Sequence, residues 1–225
     1  MLDNAPFASL SGPHRRFAQE HGTALRYRPD VSVFAALPDA AGPADWADLA
    51  SLAGPGAVLA LFGRAPDEVP LGWQVLETGP GVQLVGDGLV TAPDGEAVRL
   101  GAADVDEMLA LVALTEPGPF AARTVELGTY LGIRRGGALV AMAGERLHPP
   151  GWTEISAVCT HPDHRGQGLA TRLVRAVGHG IRERGEIPLM HAAASNENAI
   201  RLYLSIGFRL RRHTTFMAVR TPAAR

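Results

Sequence analysis

The chain has 225 residues, enough for one large domain or two small ones, and its 46% apolar and 20% charged residues are those of an ordinary globular protein. A formal net charge of −2 gives no electrostatic reason to expect nucleic acid binding, and a single cysteine, Cys159, excludes an internal disulfide framework and fits a reducing compartment. The opening "MLDNAPFASLSGPHRRF" has no apolar core of signal-peptide length, and no apolar run approaches the length that crosses a bilayer; a cytoplasmic protein with no membrane role is expected.

The first part of the chain is rich in Pro, Gly and Ala, and its periodicity is weak. Residues 6–21 and 44–53 read as helices, the second with Trp46, Leu49, Leu52 and Ala53 on one side. "AVLALFG" (57–63), "GWQVLE" (72–77) and "VQLVGD" (82–87) read as short strands between turn signals. "GDGLVTAPDGEA" (86–97) is the best boundary. Beyond it the pattern sharpens: a strand over 97–101, then a helix over 102–116 with Val105, Met108, Leu109 and Val112 at helical spacing. After "PGPF" comes a short helix over 121–128, then a hairpin turning on Gly136-Gly137, then a strand over 153–160. Residues 169–184 form a helix with Leu169, Leu173, Val174, Val177 and Ile181 on one stripe, closed by Gly185. A strand (188–194), a helix (196–207) and a last strand kinked near His213 complete the chain. The late basic residues Arg209, Arg211, Arg212 and His213 read as the solvated face of that strand.

One junction carries chemistry. "CTHPDHRGQGLATRLV" (159–174) runs from strand to helix and places Arg165, Gly166, Gln167 and Gly168 at the helix mouth, where glycine lets the backbone approach another group. A dinucleotide fingerprint needs three glycines at fixed spacing and a P-loop needs Gly-Lys-Ser/Thr; neither is present. A metal site from Cys159, His161 and His164 fails because strand alternation separates Cys159 from its neighbour and no fourth ligand is near. On this stretch alone, a plain tight connection and a pyrophosphate cradle of backbone N–H groups at the helix dipole both remain open.

The next element decides between them. "VCTHPDHRGQGLA" (158–170) followed by "NENAIRLYLSIGF" (196–208) resembles the acetyl-CoA site of the GNAT superfamily of N-acetyltransferases, over roughly residues 97–220. "EISAVCTHPDHRGQGLA" further resembles a branch of acetyltransferases related to glycine N-acyltransferases, in which the motif-bearing domain follows a degenerate N-terminal half. The resemblance implies an α/β fold: a GNAT-like mixed central sheet flanked by helices over 94–225, preceded by a smaller degenerate α/β half over 1–93. It implies that backbone groups of Val158, Cys159 and Thr160 pair with the pantetheine arm of acetyl-CoA. Amides from Arg165, Gly166, Gln167, Gly168, Leu169 and Ala170 would hold the pyrophosphate, with Thr171 ending the loop. Asn196 would bond the cofactor arm and Tyr203 would lie near the thioester sulfur. Thr160 stands where valine is usual and Ala170 where glycine is common; both are small enough to leave the cofactor room.

The implied reaction needs a neutral amine, a donor for the oxyanion and a proton for the leaving thiolate. Tyr203 fits the acid and the backbone N–H of Val158 the oxyanion donor. For the base, His191, Glu154 and a water chain stay open. Arg123 and Glu126 are placed near the acceptor by resemblance only. Cys159, lone in an apolar strand, reads as a small buried hydrophobe, which favours direct transfer over an acyl-cysteine. The expected partners are a small-molecule or peptide amine and no nucleic acid, and a homodimer is compatible with this reading. The competing function is an acyl-CoA-binding sensor without turnover.

Overall fold

Strands from both ends of the chain meet in one sheet. The computed structural model describes residues 1–224. In chain order its main elements are α1 (Ala5–Leu10), β1 (Ala18–His21), β2 (Ala24–Tyr27), β3 (Ala35–Ala36), α2 (Pro43–Ala53), β4 (Val58–Phe62), β5 (Gln74–Val85) and β6 (Val98–Leu100). They continue with α3 (Val105–Thr115), β7 (Tyr130–Arg135), β8 (Ala138–Glu145), β9 (Trp152–Thr160), α4 (Leu169–Glu183), β10 (Ile187–Ala193), α5 (Glu197–Ser205) and β11 (Arg209–Arg220). Eight strands form a mixed sheet in the order β4-β11-β5-β10-β9-β8-β7-β6, and β1-β2-β3 form a small antiparallel sheet. Residues 1–93, expected as a first unit, thus contribute β4 and β5 to the sheet that later residues complete.

The sheet has a covered layer on each face. On one, the α4 stripe of Leu169, Leu173, Val174, Val177 and Ile181 is buried against Val82, Leu84, Ile133 and Met190. At about 1.5–3 kcal/mol for each large apolar side chain, this stripe is a main anchor of the helix. On the other, α1 and the small sheet bury Leu10, Tyr27 and Phe34 with Leu127 and Leu147.

Three expectations change. The helix expected over 6–21 ends at Leu10, because Gly12 and Pro13 interrupt the backbone ladder, and residues 18–21 become β1. The segments expected as two strands, 72–77 and 82–87, are one twelve-residue strand, β5, which runs through Gly79-Pro80-Gly81 beside the equally long β11. Gly81 has a packing reason there: the Phe216 ring would lie 2.5 Å from any Cβ at that position. The short helix over 121–128 is a single 3-10 turn, Thr124–Leu127. The kink expected near His213 is a bulge between Leu210 and Arg212.

Candidate active site

β9 and β10 are parallel neighbours that part company. They pair only over Ile187↔Trp152, Pro188↔Thr153 and Leu189↔Glu154. Beyond that, β9 stays with β8 through Thr160 and β10 stays with β5 through Ala193. The inner backbone edges, 155–160 and 190–193, therefore face each other across a cleft of about 1220 Å³. Open strand edges are ready-made partners for an extended ligand. Within β9, Ala157 and Val158 stand opposite the single Ala143, a bulge in which Ala157 takes φ +51°. A non-glycine residue there costs about 1–3 kcal/mol, and such strain persists where the surroundings impose it.

The mouth of α4 opens into the same cleft. After β9 the chain makes a 3-10 turn, Pro162–His164, and then passes through Gly166 and Gly168 at φ +76° and +71°. Both lie in the left-handed region that glycine adopts without strain. Gly168 is the N-cap of α4 and offers no side-chain cap, so the amides of the first turn are left for another acceptor at the positive end of a fifteen-residue helix. Val158, Cys159, Thr160, Arg165, Gly166, Gly168, Leu169, Ala170 and Thr171 line the cleft as the sequence motif suggests; Gln167 alone of that series does not. An uncapped helix mouth beside an open strand edge suits a diphosphate attached to an amide-bearing arm.

Asn196 is the N-cap of α5: its Oδ1 accepts from the Ala199 N–H at 3.2 Å, and its Nδ2 makes no hydrogen bond to a described residue. Tyr203, two α5 turns further in, lines the cleft at 7% exposure. Its hydroxyl has no hydrogen-bond partner among the described residues, and burial, with the Cys159 sulfur nearby, pushes its pKa up to about 12. It is a protonated phenol at neutral pH. Burial also pushes the Cys159 thiol up to about 11, which makes it a poor nucleophile.

The two carboxylate and imidazole candidates meet in one buried chain. The Glu154 carboxylate is fully buried; it accepts from Arg146 Nε at 2.8 Å and Nη2 at 2.7 Å, and from His191 Nδ1 at 2.7 Å. Burial alone would raise its pKa, but the Arg146 guanidinium and His191 outweigh it and hold the carboxyl at about 2. His191 pairs across the ladder with Gln83, whose Nε2 lies 2.8 Å from the His191 Nε2. Gln83 Oε1 accepts from Arg211 Nη1 at 2.7 Å, which fixes Nε2 as the donating end of the amide. His191 therefore donates through Nδ1 and accepts through Nε2, leaving no free lone pair. Glu154 does not line the cleft, whereas His191 does. Arg211 is exposed, as expected for the solvated face, and from there reaches Gln83 beside the β11 bulge and also pairs with Asp3.

The opposite wall was silent in the sequence. Phe34, Phe62, Phe216, Arg146 and Glu77 line the cleft beside His191. Phe62 packs 4.7 Å from Phe34, 5.0 Å from Phe216 and 5.1 Å from His191, ring centre to ring centre. No local signal marks Phe34, which reaches the site by a single bridge from its backbone to Ala60. Arg123 and Glu126 lie elsewhere: they pair with each other at 2.7 Å, Arg123 also with Asp30, beside a separate hollow.

Comparison with known proteins follows the same outline. A protein assigned to the GNAT family of acetyltransferases, from Novosphingobium aromaticivorans, is 41% identical and superposes with a TM-score of 0.90 over 100% of this chain and 99% of its own. The chain belongs to the GNAT family. The family model described as FR47-like protein matches residues 130–217, from β7 into β11. A GCN5-related N-acetyltransferase from Kribbella flavida shares the fold at 19% identity, with a TM-score of 0.63 over 98% of this chain and 96% of its own. No curated protein matches the sequence. GNAT enzymes use acetyl-CoA or another acyl-CoA, and the uncapped α4 mouth, joined to an open β9 edge, fits such a group. No helix among the described residues is long and apolar enough to cross a membrane.

Proposed function

We propose that the protein transfers an acetyl group from acetyl-CoA to a primary amine by direct attack. The observation that carries this reading is the convergence of three features on one cleft: parted parallel strands, an uncapped helix mouth and an unpartnered tyrosine hydroxyl. When bound, acetyl-CoA supplies an activated acyl thioester. Amides of Gly166 and of Gly168 to Thr171 would hold the diphosphate, with Arg165 alongside. The β9 edge from Val158 to Thr160 would bond the pantetheine arm as an added strand, and Asn196 would reach it through Nδ2. Val158, at the bulge, would offer its N–H to the developing oxyanion.

Tyr203 would give its phenolic proton to the departing sulfur, while the amine loses its own proton to water as the C–N bond forms and the C–S bond breaks. Glu154 and His191 would act as positioning residues that hold the wall opposite Tyr203, since one is enclosed and the other has both ring nitrogens engaged. The first 93 residues would form the acceptor wall through Phe34, Ala60 and Phe62.

The test is Gly168→Ala. A methyl there lies where the diphosphate approaches the backbone and at a φ that costs alanine about 1 kcal/mol. Calorimetry should show acetyl-CoA affinity reduced tenfold or more, about 1.4 kcal/mol, with the circular dichroism of the parent. Unchanged affinity removes the cradle from the account.

A further inference from the structure

The acceptor wall has a chemistry of its own, and the inference drawn from it rests on the transfer reading above. Three aromatic rings, Phe34, Phe62 and Phe216, line one side of the cleft, and none carries a polar atom. The Arg146 guanidinium lies 4.9 Å from the Phe34 ring centre. Two of its nitrogens, Nε and Nη2, are committed to Glu154. The third, Nη1, makes no hydrogen bond to any described residue, in a side chain that is 9% exposed and lines the cleft. An almost buried guanidinium with one donor to spare is a receptor for a carbonyl or carboxylate oxygen. Glu77, exposed at the rim and unpaired among the described residues, adds a negative charge that draws a cationic amine inward.

Beside the acceptor wall neither His191 nor Glu154 is free to take a proton, because they satisfy each other, Gln83 and Arg146; the other carboxylate and imidazole groups lining the cleft are Glu77, at its rim, and Glu116 and His164. An ε-amine, of pKa about 10.4, is neutral only about once in 2500 molecules at pH 7. An α-amine next to a carbonyl, of pKa about 8, is neutral roughly once in ten. An acceptor wall whose own histidine and carboxylate are both engaged suits the second.

We propose that the acceptor is an α-amine next to a carbonyl with an apolar, preferably aromatic, side chain: Arg146 Nη1 takes the carbonyl oxygen, and Phe34, Phe62 and Phe216 take the side chain. Two sources share this chemistry, a single amino-acid derivative and the N-terminus of a peptide.

The experiment is release of free CoA from acetyl-CoA by the full-length protein, read with a thiol reagent at pH 7. The acceptors are phenylalaninamide, glycinamide, phenethylamine, Nα-acetyl-lysinamide and a tetrapeptide beginning with phenylalanine. The expected order places phenylalaninamide or the tetrapeptide at least 100-fold above the lysine ε-amine in kcat/KM. It places them at least tenfold above glycinamide and above phenethylamine, which keeps the ring but lacks the carbonyl. A tetrapeptide tenfold better than the amide assigns the source as a polypeptide N-terminus, and parity assigns it as a small amino-acid derivative; both support the inference. Phe62→Ala should reduce turnover of phenylalaninamide at least fivefold more than that of glycinamide, a split that a loss of folding would not give. Phenethylamine or the ε-amine matching phenylalaninamide overturns the acceptor class and leaves acetyl transfer standing. Acetyl-CoA binding without CoA release by any amine overturns the transfer reading itself, and the acceptor class with it.

Discussion

Tyr203→Phe removes one oxygen and keeps the ring. The ring is packed in the α5 face of the core, 6.0 Å from Phe208, and the hydroxyl makes no hydrogen bond to a described residue. No protein hydrogen bond is therefore lost, and the stability change should stay under about 1 kcal/mol, or roughly 2–4 °C in melting temperature for a chain of this size. The catalytic effect should be far larger. With its pKa pushed up to about 12, the phenol stays protonated through the physiological range; it is a weaker acid than the thiol, of pKa about 8.5, so its contribution is the hydrogen bond it gives the sulfur as negative charge develops there, with the proton passing on as the thiol leaves. A general acid contributes about 10²–10⁴-fold, or roughly 2.7–5.5 kcal/mol of barrier. The assay is kcat, acetyl-CoA affinity and melting temperature on one preparation of the variant. The expected result is kcat reduced at least 100-fold, with affinity within threefold of the parent. A kcat within threefold of the parent refutes the role, and a kcat loss that tracks a large fall in melting temperature shows the tyrosine to be core only.

Two further outcomes follow from the buried charges. Glu154→Gln leaves the Arg146 guanidinium buried without its counter-charge, which for such a pair costs about 3–5 kcal/mol; scanning calorimetry should show melting lowered by roughly 6–20 °C, and a shift under 2 °C would show the pair to be dispensable. His14 and His148 lie 4.7 Å apart, ring centre to ring centre; burial first, then the His148 charge for His14 and the Arg184 charge for His148, depresses their pKa values to about 3 and about 4. Their unfolded values lie near 6.5, so the unfolded chain binds protons first: stability is full above pH 6.5 and falls as pH drops toward the folded values. Glu145, raised by burial, works in the opposite sense as it gains its proton, and so offsets part of the loss. Urea unfolding at pH 7 and pH 5 should differ by roughly 2–4 kcal/mol, and an identical pH slope in His14→Gln would refute the assignment.

The C-terminal architecture was legible because its signals are local. The Gly136-Gly137 turn, the α4 stripe and the Gly166–Gly168 mouth each state their structure within a few residues. What could not be read depends on distant partners. β5 passes through a Gly-Pro-Gly that looks like a turn, and only its pairing with β11, over a hundred residues later, keeps it extended. Nothing local tells whether Glu154 is free to act as a base; Arg146 and His191, eight residues before it and thirty-seven after, enclose it. The aromatic wall needs Phe34, Phe62 and Phe216 from three separate segments, and none has a sequence mark beyond being apolar.

The central claim is that an acyl-CoA lies between β9 and β10 with its diphosphate at the α4 mouth. Amide hydrogen exchange, measured with and without acetyl-CoA, tests it most directly. The amides of residues 158–160 on the open β9 edge and of residues 166–171 at the helix mouth should both slow at least tenfold, while those of the β7–β8 hairpin stay unchanged. Protection confined to another surface, or unaltered exchange in both segments at saturating acetyl-CoA, would contradict it.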